Sequence, residues 1–243
     1  LPHGGPFARS SWAFQDWVQF LANRGYAVLQ PNFRGSTGFG RDYVEKGYGQ
    51  WGTGMIEDID DGTQWMIDQA IADKGRVCIM GASYGGYAAL WSAIKYPERY
   101  QCSISLNGVT DVKAMWKYDR KLFSAKRYFK DWQKQKIGLE KEELVAISPV
   151  QHAAKMQIPV LVAQGVKDVR VPKKHADDLI EAWDAVGFTQ YEKIYFPKSG
   201  HGFDNSEDAT AFLKKVEAFL AKHNPTTVNV PKPEVAAAEA SVE

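Results

Sequence analysis

Gly81-Ala82-Ser83-Tyr84-Gly85-Gly86 is the stretch that leaves the chain around it the fewest options. Just before it, Arg76-Val77-Cys78-Ile79-Met80 is short, apolar and β-branched, the pattern of a buried strand. Just after it, Tyr87-Ala88-Ala89-Leu90-Trp91-Ser92-Ala93-Ile94 is Ala-rich and apolar, the pattern of a buried helix. A strand that turns straight into a helix at Ser83 lifts that hydroxyl out of the sheet on a tight, strained turn. Bulky side chains two residues to either side would collide there, so Gly81 and Gly85 suit the turn. The helix then aims its N-terminal amides and the positive end of its dipole at the space beside the hydroxyl. A Gly-rich turn can also carry a serine by chance. The motif gains its weight only from an acid and a histidine placed in the right order later in the chain.

The rest of the chain alternates in the same way. Asp16 to Arg24 reads as a helix with Trp17, Phe20 and Leu21 on one face, closed by Gly25, and Tyr26 to Gln30 reads as a strand. The Gly-rich run 31–40 after that strand lacks both the Lys-Ser/Thr ending of a phosphate-binding loop and the glycine spacing of a dinucleotide fingerprint, so a nucleotide site is rejected. Within it, Arg34 is expected to anchor the loop through carbonyl groups. Met55 to Ile71 reads as an amphipathic helix whose acidic start (Glu57, Asp58, Asp60, Asp61) is solvated and complements the dipole. Gln101 to Leu106, Ile158 to Gln164 and Tyr191 to Phe196 read as strands, and Lys174 to Val186 and Glu207 to His223 as helices. Residues 107 to 158 are aromatic and basic, with acidic residues in balance, and read as a helical lid or cap that walls a pocket. Strand and helix in alternation imply a mostly parallel sheet with helices on both faces, an α/β domain over residues 1–223. Residues 224–243, rich in Pro, Ala and Glu with no aromatics, read as a disordered tail.

With 243 residues the chain can bury one sizeable core, and a formal net charge of +1 gives no electrostatic case for nucleic acid or an anionic membrane. The two cysteines, Cys78 and Cys102, fall in predicted buried strands and read as small core residues rather than a disulfide framework or a metal site. No metal or other cofactor is expected.

In a parallel α/β sheet, ligands sit at the carboxyl ends of the strands. Ser83, Asp168 and His201 each fall just after a predicted strand, so all three are expected at that edge. Ser83 needs a base to become a nucleophile. His201 can take its proton, and Asp168 can hold the imidazole tautomer. The order Ser, Asp, His is that of α/β-hydrolases. His3-Gly4-Gly5-Pro6 is a candidate second source of an oxyanion donor, through the Gly5 N–H, and the N–H of Tyr84 is the first; a plain turn would serve as well for the tetrapeptide alone.

Taken together, His3-Gly4-Gly5-Pro6, the run from Pro31 to Gly40, the elbow at Ser83, Asp168-Val169-Arg170-Val171-Pro172 and Gly200-His201-Gly202 resemble the catalytic domain of the prolyl oligopeptidase family, in particular its acylaminoacyl-peptidase and dipeptidyl-aminopeptidase-like members. The resemblance spans roughly residues 1 to 223. It implies an α/β-hydrolase fold and hydrolysis of oligopeptides through an acyl-enzyme. The family's tyrosine-hydroxyl donor is not evident, since His3 stands at the first position of the opening motif. Val109, Val112 and Met115 fall where relatives build the pocket for the residue before the scissile bond. Family members also carry a β-propeller and further hydrolase strands ahead of the Gly-Gly loop, so this chain reads as the C-terminal part of a longer protein. By the same resemblance, a central strand preceding His3 lies between the Tyr26–Gln30 strand and the Arg76–Met80 strand. Two other functions use the same features: a carboxylesterase or lipase, and a non-catalytic binding module.

Overall fold

Residues 1–122 and 141–226 are described by the computed structural model. Four strands form its sheet: Cys78–Ala82 (β1), Cys102–Leu106 (β2), Val160–Gly165 (β3) and Tyr191–Phe196 (β4). They pair in parallel in the order β1-β2-β3-β4, as the alternation of strands and helices predicts. The helices are Asp16–Asn23 (α1), Arg41–Glu45 (α2), Gly54–Asp68 (α3), Tyr84–Lys95 (α4), Val112–Leu122 (α5), Lys141–Ala146 (α6), Lys174–Ala185 (α7) and Ser206–His223 (α8), with a 3-10 segment at Pro149–Lys155.

Successive strand residues point to opposite faces, and the core divides accordingly. Ile79, Val160 and Val162 pack with α3, α4 and α7 on one face. Met80, Ile104, Leu161 and Ala163 pack with Leu21 of α1 and with Phe212, Val216 and Phe219 of α8 on the other. The sheet is thereby covered on both faces, which explains why β1 and β3 read as mainly apolar runs, while the edge strand β4 carries Glu192 and Lys193 and is only partly buried.

Several expectations need correcting. Cys78 and Cys102 form a disulfide. They are register partners on adjacent parallel strands with Cα atoms 4.8 Å apart, a spacing that a disulfide spans. Arg34 binds a carboxylate rather than carbonyls: Asp58 accepts from its Nε at 2.9 Å, its Nη2 at 2.6 Å and its backbone N–H at 2.7 Å. The acidic start of α3 is therefore cross-linked rather than merely solvated, because Asp60 also pairs with Arg99 and Glu57 with Lys95. Tyr26 to Gln30 joins no ladder. An apolar slot of about 120 Å³ separates it from β1, lined by residues such as Val28, Leu29, Met66, Val77, Ile79 and Leu220. The Leu1 amine donates to Leu29 O at 2.8 Å, so the opening residues lie at the end of this slot.

Order also runs past residue 223. Asn224 is buried and donates to Arg76 O at 3.1 Å, while Asn224 O accepts from the Tyr26 hydroxyl at 2.8 Å. Residues 227–243 of the expected tail, and Phe123, Tyr128, Phe129 and Trp132 of the expected lid, lie outside the described residues.

Candidate active site

β1 runs through Ala82 into α4 with Ser83 at the joint, at φ 59° and ψ −121°. That backbone region suits glycine and is sparsely used by other residues. Packing holds it there. A Cβ added at Gly81 would lie 2.3 Å from Gly85 O, and one at Gly85 would lie 2.3 Å from Pro2 O. The second glycine thus admits the opening loop as well as the turn. The Ser83 N–H donates to Leu106 O at 2.9 Å and ties the elbow to the end of β2.

The opening loop lies directly beside the serine: a Cβ on Gly4 would be 3.4 Å from Ser83 Cβ. Gly5 comes next at φ 120°, and the Gly5–Pro6 peptide is cis. His3 fixes this loop. Its Nδ1 lies 2.7 Å from Gly4 O, its Nε2 lies 2.8 Å from Ser36 Oγ, and its ring stacks on Phe33 with centroids 4.3 Å apart. Burial lowers its pKa, and the bond to Gly4 O opposes that shift. The Tyr84 side chain is a core element: it is buried, its hydroxyl donates to Trp51 O at 2.7 Å, and burial pushes its pKa well up. Its backbone N–H belongs to the first turn of α4, where amides have no intrahelical acceptor.

Asp168 comes after β3 and His201 after β4. Asp168 is buried, with Oδ1 accepting from the backbone N–H groups of Arg170 at 2.7 Å and Val171 at 2.9 Å. Its Oδ2 lies 2.7 Å from His201 Nδ1. A carboxylate in that position accepts a hydrogen bond from Nδ1–H, which in the neutral ring leaves the lone pair on Nε2. Ser83 Oγ makes no hydrogen bond to His201 among the described residues; such catalytic bonds commonly tighten only when substrate is bound. The other histidines are engaged elsewhere. His152 Nε2 lies 2.7 Å from Ala146 O, His175 is buried against Thr110, and the His223 ring packs on Phe219.

Of the three pocket candidates, Val109 is 4% exposed and Val112 1%, both inside the main core, while Met115 is partly buried and packs against that core. Of these, Met115 has the most surface to offer a ligand. Sequence reasoning passed over Asn107, the residue after β2, whose buried side chain bonds to the chain on either side of the Asp168–His201 pair. An Asn-Gly pair after a strand reads as a turn, and nothing local marks its amide as a tertiary link. Among the described residues, no group of three His, Cys, Asp or Glu side chains is placed to hold a metal ion, and no helix is long and apolar enough to cross a membrane.

Comparison with known proteins places this fold. Dipeptidyl aminopeptidase BIII of Pseudoxanthomonas mexicana is 36% identical over 226 residues, covering 91% of this chain and 32% of the relative. The acylamino-acid-releasing enzyme of Rattus norvegicus is 28% identical over 228 residues, covering 89% of this chain and 30% of the relative. The solved structure of a puromycin-hydrolyzing peptidase from Mycobacterium tuberculosis superposes with a TM-score of 0.84 at 27% identity, covering 92% of this chain and 33% of that one. The chain thus spans about a third of the length of these relatives, over their α/β-hydrolase part. The model of the prolyl oligopeptidase family matches residues 12–226, and the chain belongs to that family.

Proposed function

We propose that this chain carries the catalytic machinery of a serine peptidase that cleaves oligopeptides through an acyl-enzyme. The observation that carries the reading is the 2.7 Å Asp168–His201 contact, at the sheet edge where Ser83 stands at φ 59°. In this reading His201 Nε2 takes the Ser83 proton as Oγ attacks the scissile carbonyl. The oxyanion is met by the backbone N–H of Tyr84 and of Gly5. The imidazolium, held and stabilised by Asp168, gives its proton to the leaving amine. Water then repeats the sequence on the ester and releases the acid. The names of the relatives, which describe the release of dipeptides and acylamino acids, support a peptide substrate. The resemblance adds a β-propeller in the same polypeptide that restricts access, and a mainly apolar pocket with a wall at Met115.

The test is made in the native protein. Fluorophosphonate is expected to label Ser83, and Ser83→Ala to lower kcat on a peptide amide by about 10⁴-fold or more, because triad members act as a unit. Near-normal turnover by that variant overturns the assignment. A wild type that hydrolyses simple esters and leaves peptide amides intact overturns the peptidase reading in favour of an esterase.

A further inference from the structure

We infer that Asn107 is the residue that sets the position of His201 relative to Asp168 and Ser83. It is a positioning residue, and the inference rests on the triad reading above. Asn107 is 2% exposed and stands at φ 50° on the first residue after β2. A side-chain amide offers an acceptor oxygen and two donor hydrogens in one plane, and here both ends are used. Oδ1 accepts from the Gly165 N–H at 2.8 Å, at the end of β3. Nδ2 donates to Gly200 O at 3.2 Å and to His201 O at 3.1 Å. Its own backbone N–H donates to Ala163 O at 2.8 Å and continues the β2–β3 ladder. The residue before it, Leu106, accepts the Ser83 N–H at 2.9 Å.

Two consecutive residues therefore hold the backbone of all three catalytic loops. Leu106 fixes the serine turn, and the Asn107 amide bridges the start of the acid turn to the histidine loop. The acid turn begins at Gly165, whose carbonyl accepts from the Asp168 N–H at 3.3 Å. Gly165 also packs on the histidine loop, since an added Cβ would lie 2.0 Å from Gly200 O. Contact resists a closer approach of the two loops, and the amide resists their separation. The left-handed backbone at residue 107 does not itself need asparagine, because glycine adopts φ near 50° with less strain. What glycine lacks is the amide.

That difference supplies the test. Asn107→Gly keeps the backbone and deletes the amide; Asn107→Asp keeps the acceptor and sets an oxygen against two carbonyl oxygens. Both are prepared in the native protein and titrated to completion with fluorophosphonate, which counts active sites, and kcat on a peptide amide is expressed per labelled site. For Asn107→Gly, kcat per site is expected to fall about 10- to 100-fold, as for a small misplacement of a catalytic group, with KM little changed. Asn107→Asp is expected to fall further. Counting by label keeps the comparison defined even when part of a preparation is unfolded. Wild-type kcat per labelled site in Asn107→Gly, with or without a smaller labelled fraction, makes the residue merely structural and overturns the inference. Failure of the wild type to label at Ser83 is the distinct failure of the triad reading.

Discussion

Ser83 occupies a backbone conformation, φ 59° and ψ −121°, that costs a residue with a Cβ on the order of 1–3 kcal/mol. The strain is retained because the turn is packed from both sides, by Gly81 against Gly85 and by Gly85 against Pro2. On the proposed role of Ser83, activity and stability are therefore opposed at this residue. Ser83→Gly and Ser83→Ala are both expected to be inactive, with Ser83→Gly the more stable by roughly 1 kcal/mol or more. Denaturant midpoints of the two variants check this; equal midpoints would show that the turn relaxes when the hydroxyl is gone. The elbow was legible in the sequence because strand, glycines and helix are contiguous. Residues whose roles depend on distant partners were not. Cys78 and Cys102 are separated by 24 positions and meet only through strand register. Asn107 bonds to Gly165, Gly200 and His201, whose nearness depends on the finished sheet.

At the scale of elements, the four paired strands and the long helices could be read to within a few residues, whereas Tyr26 to Gln30, read as a strand, joins no ladder. The joints between elements were less legible, since polar groups settle them one by one. The start of α7 shows this. His175 Nδ1 accepts from the backbone N–H groups of Thr110 at 3.3 Å and Asp111 at 3.4 Å, while the Thr110 hydroxyl donates to His175 O at 2.7 Å. This clamp joins α7 to the turn after β2 and requires a neutral ring. Burial, the largest cause, pushes the His175 pKa down to about 4; Asp111, Asp178 and Asp168 favour the charged form and Lys174 opposes it. The unfolded ring titrates near the ordinary histidine value of 6.5, so the stability supplied by the neutral ring is whole above that pH. It declines as pH falls from 6.5 to about 4, by a total on the order of 3 kcal/mol. His175→Asn offers an amide oxygen to the same two donors and does not titrate. The loss of stability between pH 7 and pH 4.5 is expected to be smaller in the variant by roughly 2–3 kcal/mol. Urea midpoints at both pH values check it; equal losses would mean that the wild-type ring is not held neutral.

For the whole molecule, the open question is the edge of β1. The sheet order ends there, and β2 is the only ladder partner of β1 among the described residues. Beyond it lies the apolar slot, and beyond the slot lies 26–30, outside any ladder. Val28, Val77, Ile79 and Leu220 face this space, so its lining is apolar where its two long sides are backbone. A single strand with apolar side chains on both faces satisfies both requirements, and this is the place where the family resemblance sets a strand preceding His3. With the slot empty, each buried unpaired backbone group costs about 1–3 kcal/mol against a typical domain stability of about 5–15 kcal/mol. An unpaired apolar edge also recruits other chains. Residues 1–243 produced by themselves are therefore expected to be poorly soluble or inactive. The same residues in a longer polypeptide in which a strand fills the slot are expected to be soluble and, on the proposed function, to hydrolyse peptides. Size-exclusion chromatography, urea unfolding and peptide turnover on the two forms decide it. A monomeric, cooperatively unfolding, peptide-hydrolysing protein from the shorter form would mean that 26–30 closes onto β1 and forms the ladder without an intervening strand.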